Sequence, residues 1–482
     1  MKLKKNSLHP ATFYFLLGVV IVICSWLGSL YGLSVIHPET GEVLRIQNLL
    51  NPEGIRWFLR HVITNFTGFA PLGMVLVSMI GIGIAQHAGL LDVCLRFVLR
   101  DRTPQRGVML SLILVGVLSN VIGDAGYILL IPLSAALFIA VRLHPIAGVI
   151  MTYVSVACGY SANVVLSTMD PLIARITQSA AEFSGVSTQY IGPMCNSLFM
   201  AFSVIPITAV IYFLTKKWLL PKLGTFNEEL VEYKSINRKE KRSLSFSFLV
   251  GGIYFFAVLW STFSSYGILR GVSGSLIRSP FIMGILFIIS LGIALMGITY
   301  GVSMGVYRKE KDVVTGLTQS FQWLGNYLII VFFASQMFAL FSYSHIDKYI
   351  LLRSSSFFSS IQFAPLTTLL LFIFFVAVMN LFMVSAIEKW TLLSFLFIPI
   401  FSNWGISPEV TQVAYRIGDS STNALTPFMF YLPLVLTYIH RYNNRIGYWS
   451  LMKYIGPYSM IIMLVWTFTF IAWYLLGIPF GW

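Results

Sequence analysis

The chain has 482 residues, of which 57% are hydrophobic and 10% charged, with a formal net charge of +14 and a mean hydropathy of +0.80. Soluble domains carry about 25% charge, so this composition excludes an ordinary soluble protein and defines a polytopic membrane protein. The basic residues form no single patch, which excludes a nucleic-acid binder.

The first element follows "MKLKKNSLHP": residues 11–36 are uncharged. That run is too long for a signal-peptide core, no A-x-A site follows it, and it reads as a retained transmembrane helix. Further apolar blocks fall near 66–90, 193–215, 246–266, 280–303, 322–343 and 457–479. Each is long enough to cross a ~30 Å hydrocarbon core as helix. The four cysteines, Cys24, Cys94, Cys158 and Cys195, sit in or beside apolar runs without metal or disulfide spacing and read as packing residues.

Four blocks differ. Residues 108–141 and 363–402 are long and apolar but polar near the middle, which predicts two re-entrant hairpins. Residues 145–188 and 405–438 are interrupted by Gly, Ser, Asn and Pro, which predicts two broken spans. The expected fold is therefore all-α, with about nine transmembrane helices and two opposed re-entrant hairpins. With the N-terminus inside, the segments assigned to the cytoplasm hold 22 of the 32 Lys and Arg, the expected positive-inside bias. Segment 221–244 reads as a cytoplasmic linker between an N-terminal half, 1–220, and a C-terminal half, 245–482. The C-terminus falls outside.

The order hairpin, then broken span, occurs twice. "LSNVIGDAGYILLIPLS" (118–134) corresponds to "VSAIEKWTLLSFLFIPIFS" (384–402), and "GYSANVVLSTMDP" (159–171) to "GDSSTNALTP" (418–427). Under the charge-based topology the two hairpins enter from opposite sides, which makes an inverted-topology repeat. Paired Gly/Pro-interrupted segments point to a transporter's binding site. Tips near 119–124 and 385–390 are expected to converge on the two breaks. Irregular backbone at membrane depth is tolerated where protein buries it or water reaches it, so Ser420, Ser421, Thr422 and Asn423 are expected where the second span unwinds, with Asn163 in the first break.

These blocks hold six carboxylates, of which Asp124, Asp170, Glu388 and Asp419 are the candidates for a role at depth. Charge at such depth implies a water-lined cavity, internal pairing or function. Arg416 and Asp419 are three apart and can pair on one helix face. That pair either neutralises two buried charges or shapes a site for a substrate carboxylate. For Asp124 and Asp170 a cation ligand, a proton carrier and a helix cap are all open. Glu388 and Lys389 are expected at a hairpin tip in contact with water. Trp390 packs or stacks on an aromatic substrate. Asn380 bonds a neighbouring helix or reaches the site. H-E-x-x-H, Walker A and G-x-S-x-G motifs are absent, so neither an enzyme nor an ATP-driven pump is indicated, and no cofactor is expected.

At these residues, "LSNVIGDAGYILLIPLSAALF", "HPIAG", "GYSANVVLSTMDPLIA" and "YRIGDSSTNALTP", the sequence resembles the AbgT family of p-aminobenzoyl-glutamate transporters over nearly its whole length. It is similar, more distantly, to divalent anion:sodium symporters, whose hairpin tips carry Ser-Asn-Thr. Here the tips read Ser119-Asn120-Val121 and Ser385-Ala386. The resemblance implies a homodimer in the bacterial inner membrane, with a scaffold part and a moving part in each protomer. It implies roles for Asp170, Asn380, Trp390, Pro408, Arg416 and Asp419. The substrates it implies are p-aminobenzoyl-glutamate, a folate breakdown product, and sulfonamide antimetabolites for export. Ser119, Asn120 and Asp124 join Asp170 and Asp419 as ion-coupling candidates, with sodium placed near Ser119, Asn120 and Asn423. Import and export, and sodium and proton coupling, are all compatible with it.

Overall fold

The structure is a computed structural model, and it describes residues 8–98, 104–226, 236–264, 267–271, 279–322, 324–359 and 363–481. Among these, seven helical stretches are long and apolar enough to cross a membrane: Pro10–Leu30, Pro52–His87, Ser197–Leu223, Arg238–Phe263, Ile285–Met304, Leu324–Ser344 and Tyr448–Leu475. They coincide with the seven uninterrupted apolar blocks of the sequence. The second is divided at Gly68 into Pro52–Thr67 and Ala70–His87. Pro71 lies in the first turn of the latter, where its missing N–H costs no hydrogen bond.

Large apolar side chains of Arg238–Phe263, such as Phe255, Phe256 and Trp260, are exposed. This suits a hydrocarbon solvent. Of the segment expected as a linker, residues 238–244 already belong to this helix, which starts on a capping box made by Asn237 and Glu240; residues 227–235 lie outside the described residues. One feature was not expected: a short antiparallel ribbon, Ser34–Ile36 on Val43–Arg45, follows the first helix.

The first hairpin is Gln105–Leu118, a tight turn at Ser119–Ile122, and Ala125–Ala140. Gly123, with φ +70° and ψ −138°, reverses the chain in a region that L side chains avoid. The second hairpin is Pro365–Met379, a turn from Asn380 to Ser385, and Ala386–Asn403. The arms have 14 to 18 residues. At ~1.5 Å per residue they reach about 21–27 Å, short of a ~30 Å core. Pro132 and Pro399 of the repeated Ile-Pro pairs both lie inside second arms.

The broken spans are also as expected in outline. Pro145–Cys158 leads through an irregular stretch to Asp170–Phe183. Pro408–Ser421 leads likewise to Leu432–Tyr442. Both leading half-helices have 14 residues and begin on proline. Each hairpin packs on the leading half-helix of its own half, and Ala386–Asn403 also packs across on Asp170–Phe183. Most buried apolar side chains form one core around these elements. A separate small core joins Ile84, Ala85, Val93, Leu244, Ala294 and Tyr300 of the more peripheral helices.

Candidate functional site

Helix Pro408–Ser421 is buried at almost every position although it carries Gln412, Arg416, Asp419 and Ser420. These recur at four- and three-residue steps, so one stripe of the helix is polar. Gly418 allows its close approach to Pro365–Met379: a Cβ there would stand 2.5 Å from the Ile373 carbonyl oxygen. The helix continues through Ser420 and Ser421, which corrects the expectation that they lie in unwound chain. It ends where the Asn380 amide, arriving from the second hairpin, takes the Asp419 carbonyl at 2.7 Å. That carbonyl is one of the last four, which have no partner within a helix.

Arg416 and Asp419 do not pair with each other, contrary to one reading of their spacing. Arg416 Nη2 meets Asp170 Oδ1 at 2.6 Å and donates to the Ser161 carbonyl at 3.1 Å. Asp419 Oδ1 meets Lys389 Nζ at 2.7 Å. Both pairs are buried, and a buried charge is tolerated when paired and hydrogen-bonded. Lys389 is accordingly not at a water-exposed tip but wholly buried, while Glu388 beside it turns outward to Lys348 at 3.2 Å.

Asp170 stands at the head of Asp170–Phe183, where the helix dipole favours its charge. Its Oδ2 accepts from the Ser167 amide at 2.6 Å and the Ser167 hydroxyl at 3.0 Å. It therefore orders the first break and holds Arg416 together. Arg416 Nε has no hydrogen-bond partner among the described residues.

Side chains lace the two breaks to the hairpins and to each other. Asn380 Nδ2 lies 2.9 Å from Asn423 Oδ1 and 3.1 Å from Thr422 Oγ1. Thr422 donates to the Ala377 carbonyl and Thr426 to that of Leu381, both at 2.9 Å. Between halves, Ser420 donates to the Ser161 hydroxyl at 2.8 Å and Asn423 to the Ala157 carbonyl at 3.3 Å. Ser421 bonds only within its own helix turn through its hydroxyl. The two breaks thus meet each other.

The first hairpin contributes less. Asn120 donates to the Val156 carbonyl at 3.0 Å, and its Oδ1 is buried with no partner among the described residues. Ser119 turns to the Gly116 carbonyl. Asn163 Oδ1 in the first break likewise has no partner among the described residues. Asp124 is exposed at the hairpin tip and caps nothing. It is in no ion pair among the described residues. A cation cage of Ser119, Asn120 and Asn423 does not fit this arrangement. Asn423 Oδ1 faces the Asn380 amide, and Asn120 Oδ1 alone falls short of the several oxygens a hard cation takes.

Trp390 is fully buried. Its indole stacks on Tyr415 with centroids 4.4 Å apart and donates to Thr177 Oγ1 at 2.9 Å. Thr177 donates onward to Gln412 at 2.6 Å, and Gln412 to Asn196 at 2.6 Å. Pro408 starts its helix about 16 Å from Asp419, by ~1.5 Å per residue, and is not part of the charged cluster. The sequence reading missed Thr177, Gln412 and Tyr415, and it placed Lys389 in water. The polar stripe of the helix could have shown Gln412, and a lone lysine inside an apolar hairpin could have pointed to a buried partner for Lys389.

Paired hairpins and paired interrupted helices around buried charges define a membrane transporter fold rather than an enzyme. The chain belongs to the AbgT putative transporter family, whose profile matches residues 3–482. It is 29% identical to the p-aminobenzoyl-glutamate transport protein of Escherichia coli (strain K12) over 98% of this chain and 93% of that one. It is similar to the crystal structure of the Alcanivorax borkumensis YdaH transporter, described as having an unusual topology, with TM-score 0.54 and 31% identity over 98% of this chain and 100% of that one. It is likewise similar to Neisseria gonorrhoeae MtrF, described as illuminating a class of antimetabolite efflux pumps, with TM-score 0.51 and 35% identity over 98% and 96%.

Proposed function

We propose that the protein is an ion-coupled secondary transporter that moves p-aminobenzoyl-glutamate or a related aromatic carboxylate across the inner membrane. The observation that carries this reading is the meeting of the two breaks at two buried ion pairs contributed by three separate elements. A substrate carboxylate competes with Asp170 for Arg416, whose Nε is a spare donor. Displacing Asp170 releases the first break, so binding is linked to movement. Beside it, Val164, Val165 and Leu166 are exposed and offer an apolar surface to an aryl ring. The unpartnered Asn163 oxygen suits an arylamine or amide N–H. In this reading the hairpins enter from opposite sides, the N-terminus is cytoplasmic, the C-terminus is outside, and the chain works as a homodimer.

The gonococcal relative's description as one of a class of antimetabolite efflux pumps favours export as a second reading, which we take as proton-driven export of sulfonamide-type antimetabolites. A sodium-coupled dicarboxylate-type symporter is the third. Uptake of labelled p-aminobenzoyl-glutamate into proteoliposomes, with sodium and proton gradients imposed separately, tests all three. Accumulation under one gradient supports the first. Efflux of sulfonamide under a proton gradient alone supports the second. Sodium-driven uptake of plain dicarboxylates in preference to the aryl substrate supports the third.

A further inference from the structure

An ammonium group has three donors and no acceptor. Each donor of Lys389 is taken: by Asp419 Oδ1 at 2.7 Å, by the Met383 carbonyl at 2.9 Å, and by Asn380 Oδ1 in a short contact. The three oxygens are a carboxylate, a peptide carbonyl and an amide carbonyl. Hard cations take this kind of ligand set. The Tyr415 ring lies 5.9 Å from Nζ, within range of a cation–π attraction.

The cage is oriented for positive charge without help from the lysine. The Asn380 amide nitrogen is held by the Asp419 carbonyl, Thr422 and Asn423. Turning the amide over would break those bonds, so its oxygen faces the cage. The other nearby charges are engaged elsewhere, Arg416 by Asp170 and Glu388 by Lys348. Lys389 is therefore the cation that Asp419 holds.

We propose that Lys389 is a tethered cation filling an oxygen cage made by Asp419, Asn380 and Met383, and that it excludes free sodium from that cage. The inference deepens the ion-coupled reading. It makes Lys389 the residue that sets ion specificity here, and it makes separation of Lys389 from Asp419 the step at which an external cation enters.

The test uses the purified full-length protein in detergent and needs no substrate, so its outcome is independent of whether the transport reading holds. Thermal unfolding is followed in sodium chloride and in choline chloride of equal ionic strength. Wild type, Asp419→Asn and Lys389→Arg are expected to unfold alike in the two salts. Lys389→Ala is expected to unfold at a higher temperature in sodium, by on the order of 3–5 °C at saturation. The double change with Asp419→Asn abolishes that gain. A folded Lys389→Ala protein indifferent to sodium overturns the proposal. So does a sodium gain in wild type that Asp419→Asn removes, because sodium would then enter beside the lysine. Lys389→Met, which keeps the bulk, is the second variant. Failure of both neutral variants to fold in sodium as in choline also overturns it, since sodium should replace the lost ammonium.

Discussion

Asn120 and Asn423, one from each half of the chain, donate to adjacent carbonyls at the end of Pro145–Cys158: Val156 at 3.0 Å and Ala157 at 3.3 Å. The first break is thereby clamped from both sides at its first turn. Loss of a buried hydrogen bond that strands its partner costs about 1–3 kcal/mol. Asn120→Ala and Asn423→Ala are each expected to lower the unfolding temperature. Because both act on one helix end, the double change should cost less than the sum. Strict additivity in thermal melts would show that the two clamps are independent.

The two ion pairs predict which double changes compensate. Removing one partner of a buried pair costs about 3–5 kcal/mol, and removing both costs far less. Arg416→Gln is expected to be rescued in stability by Asp170→Asn but not by Asp419→Asn. Purified yield and melting temperature of the three single and two double variants check this. Rescue of Arg416→Gln by Asp419→Asn would restore the pairing suggested by their spacing.

Trp390 has no exposed face, and its indole N–H is engaged with Thr177. Trp390→Phe should cost about 1 kcal/mol for the hydrogen bond, and Trp390→Ala about 3–5 kcal/mol for the cavity. Binding of p-aminobenzoyl-glutamate and of free glutamate should fall together in Trp390→Ala. A loss confined to the aromatic ligand would mean that the indole turns out to stack on it.

A Cβ at Gly418 would stand 2.5 Å from the Ile373 carbonyl oxygen and 2.8 Å from Val376 Cβ. Gly418→Ala must push Pro408–Ser421 away from the second hairpin, an overpacking cost of about 1–3 kcal/mol. It should also loosen the grip of Asn380 on Asp419. Lower thermal stability together with reduced transport is expected; wild-type behaviour in both would show that the contact yields.

Asp347 lies beyond the Leu324–Ser344 span, in the first turn of Ile346–Ser359, buried, with no partner for Oδ1 among the described residues. Burial pushes its pKa up to about 6. The unfolded chain ionises near ~4, so between those values the native state binds more protons and stability falls as pH rises. Asp347→Asn should therefore stabilise the protein above pH ~6, by at most about 2–3 kcal/mol, and the gain should vanish near pH ~4. Melts of both proteins across that range measure it, and a constant difference would refute the titration.

Much of this protein was legible in the sequence because its signals are local. Seven apolar blocks marked seven spans, since hydrocarbon demands an unbroken run of about 20 apolar residues. Gly159, Pro171 and Pro427 marked the breaks, and the order hairpin then break recurred as read. The resemblance to the AbgT family rested on the same stretches.

Tertiary structure decided the pairing. Asp419 lies three residues from Arg416, yet its partner is Lys389 on another helix, and Arg416 reaches back to Asp170. Helix Pro408–Ser421 runs past Ser420 and Ser421 because the amide that ends it arrives on Asn380. Trp390 faces inward because Tyr415 and Thr177 come from elements distant in sequence. Spacing along one helix says which side chains can meet. Which buried charges do meet depends on the whole set of elements that close around them, because each charge taken out of water must find its best partner among all that arrive.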